Sequence, residues 1–130
     1  DPERCIAEMA RVCRPGGRVV LSDMIAPSAE VRDAFDELHR QIDPSHTRAL
    51  LEAEIAELLD RAVGRLTYGE TGSGRLPIEV MLTDASDREA ALSALQRDLD
   101  GTRPTGFNPA LTDNGIVVSF TGTVVHATRA

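Results

Sequence analysis

Glu8-Met9-Ala10-Arg11-Val12-Cys13-Arg14-Pro15-Gly16-Gly17-Arg18-Val19-Val20-Leu21-Ser22-Asp23 reads as a helix end, a sharp turn and a strand start packed into sixteen residues. Upstream, Asp1 stands as N-cap, Pro2 at the first helical position and Glu3 in the first turn, and Cys5, Ile6, Met9, Val12 and Cys13 repeat at helical spacing. Proline cannot continue that helix and the glycine pair supplies the turn, so a helix is expected from Asp1 to Cys13. Val19-Val20-Leu21 then forms a short apolar run. Such a run suits a strand buried on both faces, and so a parallel sheet covered by helices.

Outward from this stretch the same grammar repeats. Ser28 after Pro27 is expected to cap a second helix, with Val31, Ala34, Phe35, Leu38 and Ile42 on one stripe and Asp43-Pro44 as its stop. A third helix is expected over Leu51 to Val63, ended by Gly64, followed by a strand over Arg65 to Thr71. Gly69-Glu70-Thr71-Gly72-Ser73-Gly74 runs G-x-x-G-x-G, the reverse of a dinucleotide fingerprint, and its Gly72-Ser73-Gly74 portion reads as a flexible loop. Pro77 opens a short helix to about Leu82. Ser86-Asp87-Arg88-Glu89 has the form of a capping box, with Leu92, Leu95 and Leu99 on the helix that follows until Gly101. Phe107 to Leu111 and Ile116 to Thr128 flank Thr112-Asp113-Asn114-Gly115, a hairpin turn by its chemistry.

Composition removes several classes of function. With 130 residues, 42% hydrophobic and 27% charged, the chain has the make-up of a globular domain with a real core, and no apolar run approaches the ~18–20 residues of a membrane-spanning helix. The net charge of -7 and only three Phe and one Tyr, with no Trp, argue against a nucleic-acid partner. All fourteen basic residues are arginine, which excludes lysine Schiff-base chemistry. Cys5 and Cys13 fit no metal or redox spacing and read as small core residues, and the three histidines form no metal cluster by spacing. A reduced, cytoplasmic setting is expected. Asp1-Pro2-Glu3-Arg4 lacks the basic-then-apolar pattern of a secretion signal, and a first residue of Asp suggests a chain that continues something larger.

The stretch from Glu8 to Asp23 resembles a specific family: the second half of class I S-adenosylmethionine-dependent methyltransferases, of the small-molecule type related to ubiquinone and menaquinone biosynthesis enzymes. In that family a helix ending in Arg-Val-x-Arg-Pro-Gly-Gly, or a close variant, leads into the fifth sheet strand. Asp43-Pro44-Ser45-His46-Thr47-Arg48, with the helix after it, resembles the family's variable segment and the helix before its sixth strand. The closing hairpin and Val125-His126-Ala127-Thr128-Arg129 resemble its antiparallel seventh strand. Arg65, where an aromatic commonly follows the glycine, and a Pro77 helix without Trp depart from the pattern. The resemblance implies an α/β fold: the C-terminal part of a Rossmann-like class I methyltransferase sheet, with fifth, sixth and antiparallel seventh strands and flanking helices.

The resemblance also implies what residues 1–130 lack. The family holds its cofactor on the first strands, on a Gly-rich loop, and no such strand-loop-helix unit occurs in this sequence. The length also falls short of the ~200–250 residues expected for both halves. The expectation is therefore a C-terminal segment of a methyltransferase domain, lacking the N-terminal cofactor-binding half. Methyl transfer to a small-molecule acceptor, with S-adenosyl-L-methionine as cofactor of the intact enzyme, is the implied activity; the segment alone is expected to bind no cofactor tightly and to be inactive.

Four residues stand as site candidates. Asp23 ends the Val19–Leu21 strand, and ligands of open α/β sheets bind beyond the carboxyl ends of strands; its ordinary reading is a solvated or turn-capping carboxylate. His46, in the Pro44–Arg48 loop, has a side chain suited to taking a proton near neutrality, as does His39, placed on the polar side of its helix. Arg48 suits an acidic substrate, although a surface arginine is the commoner outcome. Asp23 and His46 are the catalytic candidates, and His39 and Arg48 the substrate-binding ones. The alternative from another class is a stand-alone α/β interaction or dimerisation module, paired as a homodimer through the exposed edge of the Arg18–Asp23 strand.

Overall fold

A computed structural model describes residues 1–130, apart from the side chain of Tyr68. The elements follow in the order α1 (Pro2–Val12), β1 (Arg18–Ile25), α2 (Arg32–Ile42), α3 (Glu52–Ala62), β2 (Leu66–Pro77), α4 (Ile78–Leu82), α5 (Arg88–Leu99), β3 (Ala110–Thr112) and β4 (Gly115–Thr128). No helix among the described residues is long and apolar enough to cross a membrane. The strands form a four-stranded sheet in the order β1-β4-β2, with β3 paired to β4.

The direction of each strand follows from its partners. Along β2 and β4, Thr67 Oγ1 meets His126 Nδ1 at 2.8 Å, Thr71 Oγ1 meets Thr123 Oγ1 at 3.0 Å, and Ser73 Oγ meets Thr121 Oγ1 at 3.5 Å. Numbers rise on one strand as they fall on the other, so the two run antiparallel. Beside β1, Arg129 N donates to Gly17 O at 2.8 Å, and a Cβ on Gly122 would lie 3.6 Å from Asp23 O. The same rule makes β4 antiparallel to β1. β4 is thus antiparallel, as the resemblance implies for the seventh strand, and it lies between β1 and β2, which point the same way.

Two compact units divide the chain. The first comprises Asp1–Ile25, Leu50–Gly72 and Gly122–Ala130. Its core gathers Ile6 and Ala10 of α1, Val19 and Ile25 of β1, Ile55, Leu58 and Leu59 of α3, and Val125 and Ala127 of β4. Asp1 caps α1 as expected, its carboxylate accepting from Arg4 N at 3.0 Å. The buried stripe is shifted from the expected one: Cys5 is exposed, Cys13 is half-buried and Val12 is 70% exposed, because Ile6 and Ala10 form the centre of the buried face. β1 is longer than its apolar run. It lies at one end of the β1-β4-β2 order, and Val20 is 51% exposed, so within this chain the strand is not buried on both faces.

The second unit comprises Ala26–Ala49 and Ser73–Thr121. Its core centres on Phe35 and Phe107, whose rings stack 4.6 Å apart, with Leu38, Ile78, Leu95 and Val118 also buried. α2 begins four residues after Ser28, because residues 28–31 form a turn in which Ser28 hydrogen-bonds to Glu30 instead of capping the helix. That bond holds the Glu30 carboxyl below its ordinary range. The capping box is likewise not formed. Asp87 caps α5 by accepting from Ala90 N at 3.0 Å, while Ser86 Oγ donates to Gln41 O at 2.8 Å. Ala91, Ala94 and Leu95 are the residues of α5 that are buried. At the β3–β4 turn Thr112 faces Gly115, and Gly115, at φ +108°, carries the left-handed conformation.

The expected Gly72-Ser73-Gly74 loop is strand, since β2 runs unbroken to Pro77. A Cβ on Gly74 would lie 2.4 Å from Phe120 Cζ, so glycine stands there because the ring lies against its backbone. At Gly72 a Cβ would meet nothing within 4 Å. Gly74→Ala is therefore expected to destabilise the protein by about 1–3 kcal/mol, the usual range for overpacking. Gly72→Ala is expected to be neutral or stabilising by up to about 1 kcal/mol. Urea denaturation of the two single variants checks both values.

Candidate functional site

The site is built on α2 and the segment after it. Pro44 prevents the helix from continuing, and Asp43 turns the chain: its Oδ1 accepts from Ser45 N at 2.9 Å and from Ser45 Oγ at 2.7 Å. These bonds, the side-chain one first, hold the Asp43 carboxyl below its ordinary range. The segment then folds back over α2. Arg40 Nη1 donates to Thr47 O at 3.0 Å, and Asp36 Oδ1 accepts from Ala49 N at 2.8 Å.

Asp36 and His46 form the centre. His46 Nε2 lies 2.7 Å from Asp36 Oδ1, with side chains only 13% and 8% exposed respectively. The His46 ring stacks on that of His39, centroids 3.9 Å apart and planes 17° from parallel. His39 in turn meets Phe35 and Phe107 edge-on, at 5.8 and 6.4 Å. Positions 36, 39 and 43 share one face of a helix, the side opposite much of the apolar stripe. His39 does leave that stripe, as expected, but the folded-back segment and the aromatic rings cover it instead of water.

Beside this pair lies an open groove of about 500 Å³, lined by Asp33, Asp36, Glu37, Arg40, Thr47, Arg48 and Arg103. Arg103 Nη2 and Glu37 Oε2 pair at 2.7 Å. Asp36 joins the two features, since it lines the groove and holds His46. The structure thus brings His39 and His46 together and places Arg48 on the groove. Asp23 belongs to the first unit and is exposed, its carboxylate accepting from Met24 N at 2.8 Å. It does not end its strand, which continues to Ile25. Sequence reasoning passed over Asp36, Glu37, Arg40, Thr47 and Arg103. The spacing of Asp36, His39 and Asp43 on one face is the signal that marks the first of them.

Chemically, the arrangement is a buried carboxylate–imidazole pair beside an open groove that carries three arginines and three carboxylates. The carboxylate fixes the ring's orientation, while Arg40 is held by Thr47 O and Arg103 by Glu37. Among the described residues no group of three or more His, Cys, Asp and Glu side chains is placed to hold a metal ion.

The sheet order, with β4 reversed between β1 and β2, belongs to an α/β fold that this chain shares with two solved structures. YcgJ of Bacillus subtilis matches with a TM-score of 0.80 at 23% identity, over 99% of this chain and 58% of YcgJ. BH2331 of Bacillus halodurans C-125, described as a "putative methyltransferase", matches with a TM-score of 0.79 at 21% identity, over 98% of this chain and 62% of that protein. In sequence, the chain is 31% identical over 127 residues to "uncharacterized methyltransferase YcgJ" of Bacillus subtilis (strain 168), covering 92% of this chain and 49% of YcgJ. The chain therefore spans about half the length of the curated relative it matches. No protein-family model matches it. In sequence and fold the chain is similar to the C-terminal half of a class I methyltransferase.

Removing the Asp36 carboxylate strips Ala49 N and His46 of a buried acceptor. Asp36→Ala is expected to lower stability by about 2–3 kcal/mol, as for buried hydrogen bonds to a charged group. Asp23→Ala, at an exposed position, is expected to change it by less than about 0.5 kcal/mol. Chemical denaturation distinguishes the two.

Proposed function

We propose that this chain is the C-terminal segment of an S-adenosylmethionine-dependent methyltransferase that methylates a small molecule in the cytoplasm. The observation that carries the reading is 31% identity to a methyltransferase over 92% of the chain, joined to the β1-β4-β2 order with β4 reversed. The net charge of -7 supports a small acceptor over nucleic acid. In this reading residues 1–130 supply the acceptor side of the domain. Arg48, on the groove wall, suits an acidic group of the acceptor, and His46, oriented by Asp36, suits proton removal, with His39 stacked against it. Asp23 is kept as a second catalytic candidate on β1.

The cofactor does not fit the glycines present. Gly69, Gly72 and Gly74 lie inside β2, and Phe120 lies where a Cβ of Gly74 would project, so they form no loop around a ligand. The cofactor-binding half is accordingly assigned to sequence outside residues 1–130.

The second reading, an interaction or dimerisation module, is favoured by one observation: β1 ends the strand order with Val20 half exposed, and such an edge invites pairing with another copy. The coding region upstream of Asp1 separates the two. An in-frame strand with a Gly-rich loop supports the methyltransferase reading, whereas a start codon at this point supports the module. Calorimetry of residues 1–130 with S-adenosylmethionine is expected to show no micromolar binding, and a micromolar Kd would overturn the assignment of the cofactor to another segment.

A further inference from the structure

Residues 43–49 cross one face of α2 as a strap, and their fastenings converge on two stacked imidazoles. Asp36 Oδ1 receives both His46 Nε2, at 2.7 Å, and Ala49 N, at 2.8 Å. The His39 ring lies 3.9 Å from that of His46. We propose that the His39–His46 stack is a pH-operated clasp, which holds the strap on α2 while the two rings carry at most one proton and releases it when both are protonated.

The physical argument concerns how many charges the pocket tolerates. One proton shared by the two rings is matched by the Asp36 carboxylate, so the first protonation tightens the strap. A second proton sets two like charges face to face where His46 is only 13% exposed and water screens them poorly. Asp43, whose carboxylate acts on both rings, is exposed, so water weakens the relief it gives. From α2, Asp36 is already engaged by His46 and Ala49, while Arg40, bonded to Thr47 O, adds positive charge. Arg48 adds more from the strap, and the Arg103–Glu37 pair and Asp33 lie on the groove side. Phe35 and Phe107, edge-on to His39, bring no charge.

Asp43, at the start of the strap, is exposed and bound to Ser45. Its carboxyl is held below its ordinary range, so it stays ionised while imidazoles titrate and does not open the strap there. Interacting sites of this kind share their protons as a pair, not ring by ring. The consequence reaches the groove, because Thr47 and Arg48 form part of its wall. A released strap dismantles that wall, so acidification reshapes the groove. This inference does not rest on the methyltransferase reading.

Nuclear magnetic resonance on the 130-residue chain tests it, following the histidine ring protons and the exchange protection of the Ala49 amide. The titration runs from about pH 8 to about pH 5, where imidazoles change charge, with protection corrected for the intrinsic pH dependence of exchange. Ala49 is expected to be protected at the upper end and to lose at least about tenfold of its protection as the second ring protonates. His39→Phe and His39→Gln, which remove the second charge, are each expected to retain protection at the acidic end, so the answer does not hang on one variant's folding. Constant protection in the parent chain across the titration would overturn the clasp. Equal loss in the parent and in a folded His39 variant would do the same, by assigning the opening to other groups.

Discussion

Arg129 ties together the turn, the helix end and the sheet edge on which the first unit depends. Its guanidinium donates to the carbonyl oxygens of Arg11, at 3.2 Å, and Cys13, which close α1. Its backbone accepts from Gly16 N at 2.9 Å and donates to Gly17 O at 2.8 Å. A cation on the last carbonyls of a helix satisfies groups that have no partner within the helix and complements its dipole. One residue thus fixes where α1 stops and how β4 meets β1. The Pro15-Gly16-Gly17 turn is shaped to allow it: Gly16 sits at φ +71°, and a Cβ on Gly17 would lie 2.6 Å from Cys13 Sγ and 2.8 Å from Arg14 O.

This explains why the turn carried the family resemblance. A helix that ends at Val12 and a strand that begins at Arg18 leave five residues for the reversal, and the glycines at 16 and 17 let the turn pack this closely. The residues on either side of Arg129 continue the tie on the other side, where Thr128 N donates to Arg65 O and Ala130 N to Val63 O, both at 3.4 Å. The antiparallel placement of β4 between β1 and β2 follows from these contacts. The chain matches the solved structures of YcgJ and BH2331 over nearly its whole length.

The helices and the sheet were legible in the sequence because their signals are local. Asp1-Pro2-Glu3 starts α1, Asp43-Pro44 stops α2, and Asp113-Asn114-Gly115 closes the hairpin, each through chemistry confined to a few residues. The failures have tertiary causes. Gly74 read as loop because its reason, the ring of Phe120, lies forty-six positions along the sequence. Ser86 read as a cap because nothing local shows that its hydroxyl is drawn to Gln41 O. The site was legible in part: His46, His39 and Arg48 were singled out by type, yet Asp36, which joins them, looked like one more charge on a helical polar face. Only the return of residues 43–49 over α2 buries it.

If Arg129 holds the turn and β4 in place, its loss should be felt by the whole first unit. Urea denaturation of Arg129→Ala beside the parent chain measures this directly. A loss of about 2–3 kcal/mol is predicted, the range for hydrogen bonds to a charged group. A change within about 0.5 kcal/mol, the level of an ordinary surface substitution, would contradict the account.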